Sequence, residues 1–295
     1  MDNQIKHGSL EMTGAMLISG TIGWFVLMSG QPVLDVVFWR CVFGSATLLL
    51  ICVVMGVLRP GALSWTRFAW ALISGLAIVG NWLLLFAAYS RASIGVATAV
   101  YNTQPFMLVI LGALFLGERI TFNKMAWLSL AFIGMLAIIQ QHSVPSYGGG
   151  DYMSGIALSL GAAFLYAVAA LVVKRLTGTA PHLIALIQVC AGVLLLAPFA
   201  QLTAAPDMAG FSWLMLGTLG VVHTGLMYVL LYGGIQKLPT ALTGALSFIY
   251  PIVAIVVDWV AFGHSLQWLQ WVGAAAILLA VAGMRQGWGA RPLDA

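Results

Sequence analysis

An all-α membrane protein of ten transmembrane helices, arranged as two inverted five-helix repeats, is the fold class this sequence predicts. Three observations predict it. Hydrophobic residues make up 62% of the 295-residue chain and charged residues only 7%, with a mean hydropathy of +1.02, which leaves too little polar surface to cover a water-soluble globule. Ten apolar runs lie between charged or Pro/Gly breaks, each about the ~20 residues a helix needs to cross ~30 Å of hydrocarbon. Finally, segments 91–139 and 237–283 follow one plan: a polar turn, an apolar span with a proline near its middle, a short polar break and another apolar span. Pro105 and Pro251 mark the shared register.

In chain order the spans are read at 12–29, 36–58, 68–89, 93–116, 122–140, 152–173, 182–201, 211–235, 240–262 and 268–288. Transmembrane strands would run ~10 residues with alternating polarity, and no run alternates in that way for long enough. The first run reaches Gln31-Pro32 with no small-residue cleavage site after a shorter apolar core, so it reads as a retained helix rather than a signal peptide. The link 142–151, with Pro145 and Gly148-Gly149-Gly150, is a flexible joint between two groups of five spans, 1–141 and 152–295. Five is odd, so the second group inserts upside down relative to the first.

Laying one half on the other supports the duplication. Met12-Thr13-Gly14 falls on Met153-Ser154-Gly155, Arg40 and Gly44 on Gln188 and Gly192, Phe68 and Trp70 on Phe211 and Trp213, and Gly117 on Gly263. The order of these matches carries more weight than any one pair. Glycine and alanine are abundant within the spans, as suits helices whose backbones approach closely in lipid.

The formal net charge of +4 reports orientation. With a cytoplasmic N-terminus, ten of the twelve basic residues fall on the inside, Arg91 lies in an outside loop and Arg40 within a span. That asymmetry follows the positive-inside rule and puts both termini in the cytoplasm; nucleic-acid binding has no support. Cys41, Cys52 and Cys190 all fall inside spans. The first two are about 16 Å apart along one helix at ~1.5 Å per residue, too far to bond. No metal-type cysteine spacing exists, and nothing calls for a cofactor.

Ten spans in two inverted halves, Arg40 early in the second span, and the break Leu116-Gly117-Glu118-Arg119-Ile120-Thr121 between spans four and five together resemble the drug/metabolite transporter superfamily, specifically its EamA-type branch. The resemblance covers essentially the whole chain, and its most specific piece is Leu-Gly-Glu after a proline-bearing span. It implies a carrier of the bacterial inner membrane, commonly an exporter of amino acids or related metabolites, that works by alternating access. Some relatives instead take up compounds such as S-adenosylmethionine, riboflavin or sugar phosphates. The second copy of the break departs from the pattern as Phe262-Gly263-His264, which argues against a role that needs a carboxylate in both halves.

Ionisable groups inside a membrane are costly and are functional candidates by default. Arg40 either snorkels outward and pairs with Asp35 or faces the interior, where a guanidinium holds a carboxylate bidentately. Asp258 lies seven residues, about two turns, beyond Pro251; buried, it would accept a coupling proton, while the bland reading is an outer-end charge. His223 in the eighth span is a second proton-coupling candidate or a packed histidine. Before Pro105 sits the densest polar patch of any span, Tyr101-Asn102-Thr103-Gln104, and Tyr250 precedes Pro251. Proline removes a backbone donor and frees a carbonyl, a break tolerated where protein or a water-filled cavity satisfies the freed group. These segments read as substrate-site lining or as paired structural kinks.

Trp24, Asn81, Trp82, Tyr166 and Tyr228 stand mid-span and complete the candidate binding set. Their flat rings favour an apolar or planar substrate over a sugar phosphate. Glu118 and Arg119 read as a solvated loop pair that helps end the fourth helix, or as a gate through an ion pair that forms in one state. No phosphate loop ending in Gly-Lys-Ser/Thr is present, so energy would come from a gradient. The leading reading is a secondary transporter of a small organic solute, embedded in the lipid bilayer as a monomer or homodimer. An intramembrane enzyme with His223 and Asp258 as its acid/base pair is the rival, without the further positioned donors that catalysis needs.

Overall fold

A backbone crossing hydrocarbon must satisfy its own hydrogen bonds, and among the described residues the spans do so with helices alone. The computed structural model describes residues 2–59, 63–89, 91–92, 94–139, 150–200, 210–263 and 267–289. Fourteen α-helices run through them: α1 (Asp2–Ser19), α2 (Ile22–Ser29), α3 (Val33–Val54), α4 (Trp65–Tyr89), α5 (Ile94–Tyr101), α6 (Gln104–Leu116), α7 (Phe122–Ile139), α8 (Gly150–Arg175), α9 (Pro181–Leu196), α10 (Gly210–Gly220), α11 (Met227–Lys237), α12 (Thr240–Ser247), α13 (Ile249–Phe262) and α14 (Trp268–Gln286). They make ten spans long and apolar enough to cross a membrane. Four spans are composite. α1 and α2 form the first, α5 and α6 the fourth, α12 and α13 the ninth; in the eighth, α10 and α11 are joined by a π-helical turn, Val221–Leu226.

The prolines sit at the breaks for a physical reason. Pro105 and Pro251 each lie in the first turn of the second half-helix, α6 and α13, where a missing N–H costs no intrahelical bond. Gly117 and Gly263, paired in the sequence, end α6 and α13 with φ of 68° and 72°, a left-handed conformation that glycine adopts without steric cost. The first helix starts about ten residues earlier than the apolar run. Its polar first turns are held by α11, because Glu11 pairs with Lys237 and Gly8 packs against Lys237 and Leu238. The link 142–151 lies outside the described residues except for its last two positions.

Packing repeats the duplication. α4 lies on α8, and α1 lies on α11, the same contact with the halves exchanged. α6 on α8 is likewise mirrored by α1 on α12 and α13, while α3 and α7 pack on their own counterparts α9 and α14, and α6 packs on α12 of its counterpart span. Glycines set the close approaches. A Cβ at Gly134 of α7 would lie 2.6 Å from the Gly273 carbonyl oxygen of α14, and one at Gly44 of α3 would lie 2.5 Å from Thr224 Cγ2. Helices without a hydrophobic drive between them hold together through such contacts.

Gly134→Leu should therefore lower the thermal midpoint of the purified protein in detergent, by about 1–3 kcal/mol of overpacking. Gly217→Ala, at a helical position with nothing within 4 Å of the added carbon, should leave that midpoint unchanged or slightly raised. Equal effects of the two would refute the close-packed α7–α14 seam.

Candidate substrate-binding site

Arg40 is only 5% exposed, so it faces the interior of the bundle. Its Nε donates to Thr224 Oγ1 at 3.1 Å, and its guanidinium carbon lies 4.9 Å from the centroid of the Trp82 ring. Thr224 is brought to it by the π-helical turn, within which its hydroxyl donates to the Leu219 carbonyl five residues back, at 3.0 Å. Gly44, one turn along from Arg40, gives the room for this approach. Among the described ion pairs none involves Arg40. A hydroxyl and a π face thus share a charge whose burial costs several kcal/mol even after relaxation.

Gln188, the counterpart of Arg40 in α9, is also buried. Its Nε2 donates to Ser74 Oγ at 2.7 Å, and its Oε1 accepts from the Tyr232 hydroxyl. Arg40 thus reaches from α3 to the eighth span, and Gln188 from α9 to the third. Counterpart spans are bridged in each case, by a charged side chain from the first half and a neutral one from the second.

Aromatic side chains join these two points to the broken helices. Trp82 meets Tyr228 edge to face at 6.4 Å, and Tyr228 meets Tyr232 at 5.3 Å. Tyr101 packs on Tyr166 at 6.3 Å, while Asn81 Nδ2 donates to the Ala162 carbonyl at 2.7 Å. At the α5–α6 break, Asn102 Nδ2 donates to the Thr98 carbonyl and to the Tyr250 hydroxyl, both at 2.8 Å. Gln104 is buried beside it. Arg40, Asn81, Trp82, Tyr101 and Asn102 from the first half thereby converge with Tyr166, Tyr228 and Tyr250 from the second.

Trp24 stands apart, with Phe25 as its ring partner at 4.8 Å. His223 lies next to Thr224 in the π-helical turn; its Nε2 is 2.8 Å from Thr21 Oγ1, at the α1–α2 break, and its Nδ1 is 3.4 Å from the Thr218 carbonyl. Phe25 covers the ring at 4.8 Å. Asp258 belongs to α13, but its side chain lies outside the described residues, as does His264.

For Glu118 the structure corrects the solvated-loop reading, while Arg119 is exposed. Glu118 Oε2 accepts from both the backbone N–H and the hydroxyl of Thr240, at 2.9 and 2.6 Å, and Oε1 lies 2.9 Å from Lys174 Nζ. Lys174 also donates to the Leu238 carbonyl. Glycine geometry at position 117 ends α6, which frees Glu118 to clasp the end of α8 and the start of α12. Burial alone would raise its pKa, but the Thr240 donors and the Lys174 ammonium outweigh it and hold the carboxyl below the usual glutamate range. The clasp borders an open groove of about 370 Å³ lined by Gln4, Ile5, Lys124, Lys237 and others. The groove lies at the end of the bundle where α1 begins and where Trp288 caps Asn123 and Trp127.

Thr224, Tyr232 and Ser74 were missed by sequence reasoning. A hydroxyl in an apolar run carries no signal of its own, and the π-helical turn that aims Thr224 has none either. Gln188 was legible only as the partner of Arg40 in the duplication.

Residues 8–140 and 153–286 each match the EamA-like transporter family. The chain is 28% identical over 276 residues to the uncharacterized transporter YxxF of Bacillus subtilis (strain 168), covering 92% of this chain and 88% of that protein. It is 27% identical over 301 residues to the riboflavin transporter of Vibrio cholerae serotype O1, covering 96% and 95%. The uncharacterized inner membrane transporter YedA of Escherichia coli (strain K12) is 26% identical over 214 residues, 70% of this chain and 66% of that protein. A crystal structure matches the fold with a TM-score of 0.82 over 98% of both chains at 20% identity.

Because the Glu118 carboxyl is held below its ordinary range in the folded state, its contribution to stability is present at neutral pH and is lost as pH falls through the folded-state pKa. Glu118→Gln should lower the thermal midpoint at pH 7 and flatten the acid limb of midpoint against pH. Parallel curves for the two proteins, measured by scanning fluorimetry in detergent, would refute the clasp.

Proposed function

The chain belongs to the EamA-like transporter family, and on that premise we propose that it is a secondary transporter that exports an amino acid or related zwitterionic or aromatic metabolite across a bacterial inner membrane by alternating access. The observation that carries this reading is the buried Arg40, without an ion pair among the described residues, beside aromatic side chains drawn from both halves of the chain. A carboxylate entering that site would meet a guanidinium already desolvated and oriented, so binding would draw on bonds the protein leaves unmade. The rings around it offer flat walls to an apolar or planar remainder.

The two halves, 1–141 and 152–295, would serve as the inverted frame, and the mirrored helix contacts support that division. Both termini are proposed to be cytoplasmic, on the distribution of basic residues and on the common end of the bundle that α1 and Trp288 share. The Glu118 clasp would then close the inner side and break when that side opens. His223 and Asp258 are the proposed proton carriers, since His223 touches the first span at its break and adjoins the residue that holds Arg40. One chain encloses this arrangement, so a monomer or a homodimer of independent paths serves equally. Uptake of a flat aromatic solute is the second reading, favoured by the nearly full-length similarity to a riboflavin transporter.

In inside-out vesicles, the wild type should accumulate at least one aromatic or aliphatic amino acid above empty vesicles, and more so with a pH gradient. Arg40→Gln, which copies the neutral counterpart, should cut the initial rate at least about tenfold, the loss of one charge-assisted contact. Asp258→Asn and His223→Gln should remove the gradient's effect while exchange persists. Folded wild-type protein that moves no solute of a broad metabolite panel would sink the transport reading.

A further inference from the structure

The open groove at the end of the bundle where α1 begins is lined by four cations, Arg119, Lys124, Lys174 and Lys237, against a single carboxylate, Glu118. Two of the four are committed. Lys174 lies 2.9 Å from Glu118, and Lys237 pairs with Glu11 of α1. Arg119 and Lys124 meet no carboxylate among the described residues. Lys124 Nζ donates to the Arg119 carbonyl at 3.0 Å, which brings its ammonium to the Arg119 backbone on the wall of one cavity of about 370 Å³. Arg175 of α8 reaches the same α6–α7 connection, where its Nη2 donates to the Phe115 carbonyl at 2.6 Å. A groove of this charge attracts anions.

The setting says which kind of anion fits. Asn123 and Trp127, on the same first turns of α7 as Lys124, donate to the Trp288 carbonyl at 2.8 and 3.1 Å, and the rings of Trp127 and Trp288 meet at 6.3 Å. Tryptophans at a span end mark the headgroup level of a bilayer. Between the two uncommitted cations the chain exposes apolar side chains, Ile120 at 47% and Phe122 at 90%, and one turn before them Leu114 and Phe115 also face outward. Cations interleaved with exposed apolar groups at headgroup depth match an amphiphile better than a fully hydrated ion. Arginine can fork two donors onto phosphate oxygens, and lysine adds a point charge. We propose that this groove seats the phosphodiester headgroup of an anionic phospholipid, held by Arg119 and Lys124, with its acyl chains passing the exposed side chains of the α6–α7 connection. Lys174 and Lys237 shape the field of the groove while Glu118 and Glu11 keep them occupied. The site does not depend on which solute the protein moves.

Native mass spectrometry of the purified full chain in detergent, titrated with phosphatidylglycerol or with phosphatidylcholine of the same acyl chains, tests the assignment. The wild type should hold phosphatidylglycerol about thirtyfold more tightly, a factor of about five from each of two basic residues, and added salt should shrink the preference. Arg119→Gln combined with Lys124→Gln should bring the two lipids to nearly equal affinity. Arg59→Gln combined with Arg67→Gln removes the same charge from exposed positions outside the groove and should leave the preference as it is in the wild type. Should the first double variant fail to fold, Arg119→Gln alone, at an exposed side chain, should lower the preference about fivefold. Inorganic phosphate in large excess should not displace phosphatidylglycerol, because it lacks the apolar contact of the acyl chains. Displacement by phosphate would assign the groove to a soluble anion and overturn the lipid site. Equal wild-type affinities for the two lipids, or equal losses in the two double variants, would overturn it as well.

Discussion

A guanidinium in the middle of a membrane bundle sets the terms for everything packed around it. Arg40 has to be held away from lipid, and one hydroxyl and one indole face hold it. Both contacts make demands on distant parts of the chain. Thr224 reaches Arg40 from a turn wound as a π-helix, a form that recurs at functional sites because its extra residue re-aims a side chain. Gly44 must be small for the eighth span to come so close. Trp82, which supplies the π face, is itself braced edge-on by Tyr228. Each of these side chains would serve less well in the absence of the others.

The duplication explains where this site stands and why it is uneven. Exchanging the halves turns a contact between the second and eighth spans, Arg40 with Thr224, into one between the seventh and third, Gln188 with Ser74, and Gln188 meets its needs with neutral partners, Ser74 and Tyr232. One copy is therefore a satisfied structural bond. The other keeps a charge unmatched by any described ion pair, and an unmatched charge is what a ligand with a carboxylate can use. Symmetry places both polar groups at the junction of the halves, and their chemistry breaks the symmetry there.

Much of this was legible in the sequence because the constraints are local. Backbone satisfaction in lipid forces ~20-residue helices, so composition alone located the ten spans. Proline at positions 105 and 251 reported the broken helices, and the polar run 101–104 reported the break that carries Asn102. What stayed hidden depends on partners far along the chain. Glu118 read as a loop charge because its partners, Thr240 and Lys174, lie 122 and 56 positions away, a pairing no window in the sequence contains. The first helix began earlier than its apolar run because Lys237 and Leu238 receive its polar turns. A π-helical turn changes the facing of Thr224 without changing any residue type.

The contacts between halves also differ in how easily they part, and that difference assigns them roles in the proposed cycle. The α7–α14 seam is backbone against backbone at Gly134 and Gly273; separating it forfeits many dispersion contacts at once and offers lipid nothing in return. The Glu118 clasp is three polar contacts at the edge of an open groove. Water there can replace each of them as it breaks, so opening exchanges polar contacts for hydration. In the proposed cycle the clasp would release while the glycine seam holds. Arg40, held by a hydroxyl from one half and an indole face from the other, would then be the group that a bound carboxylate completes.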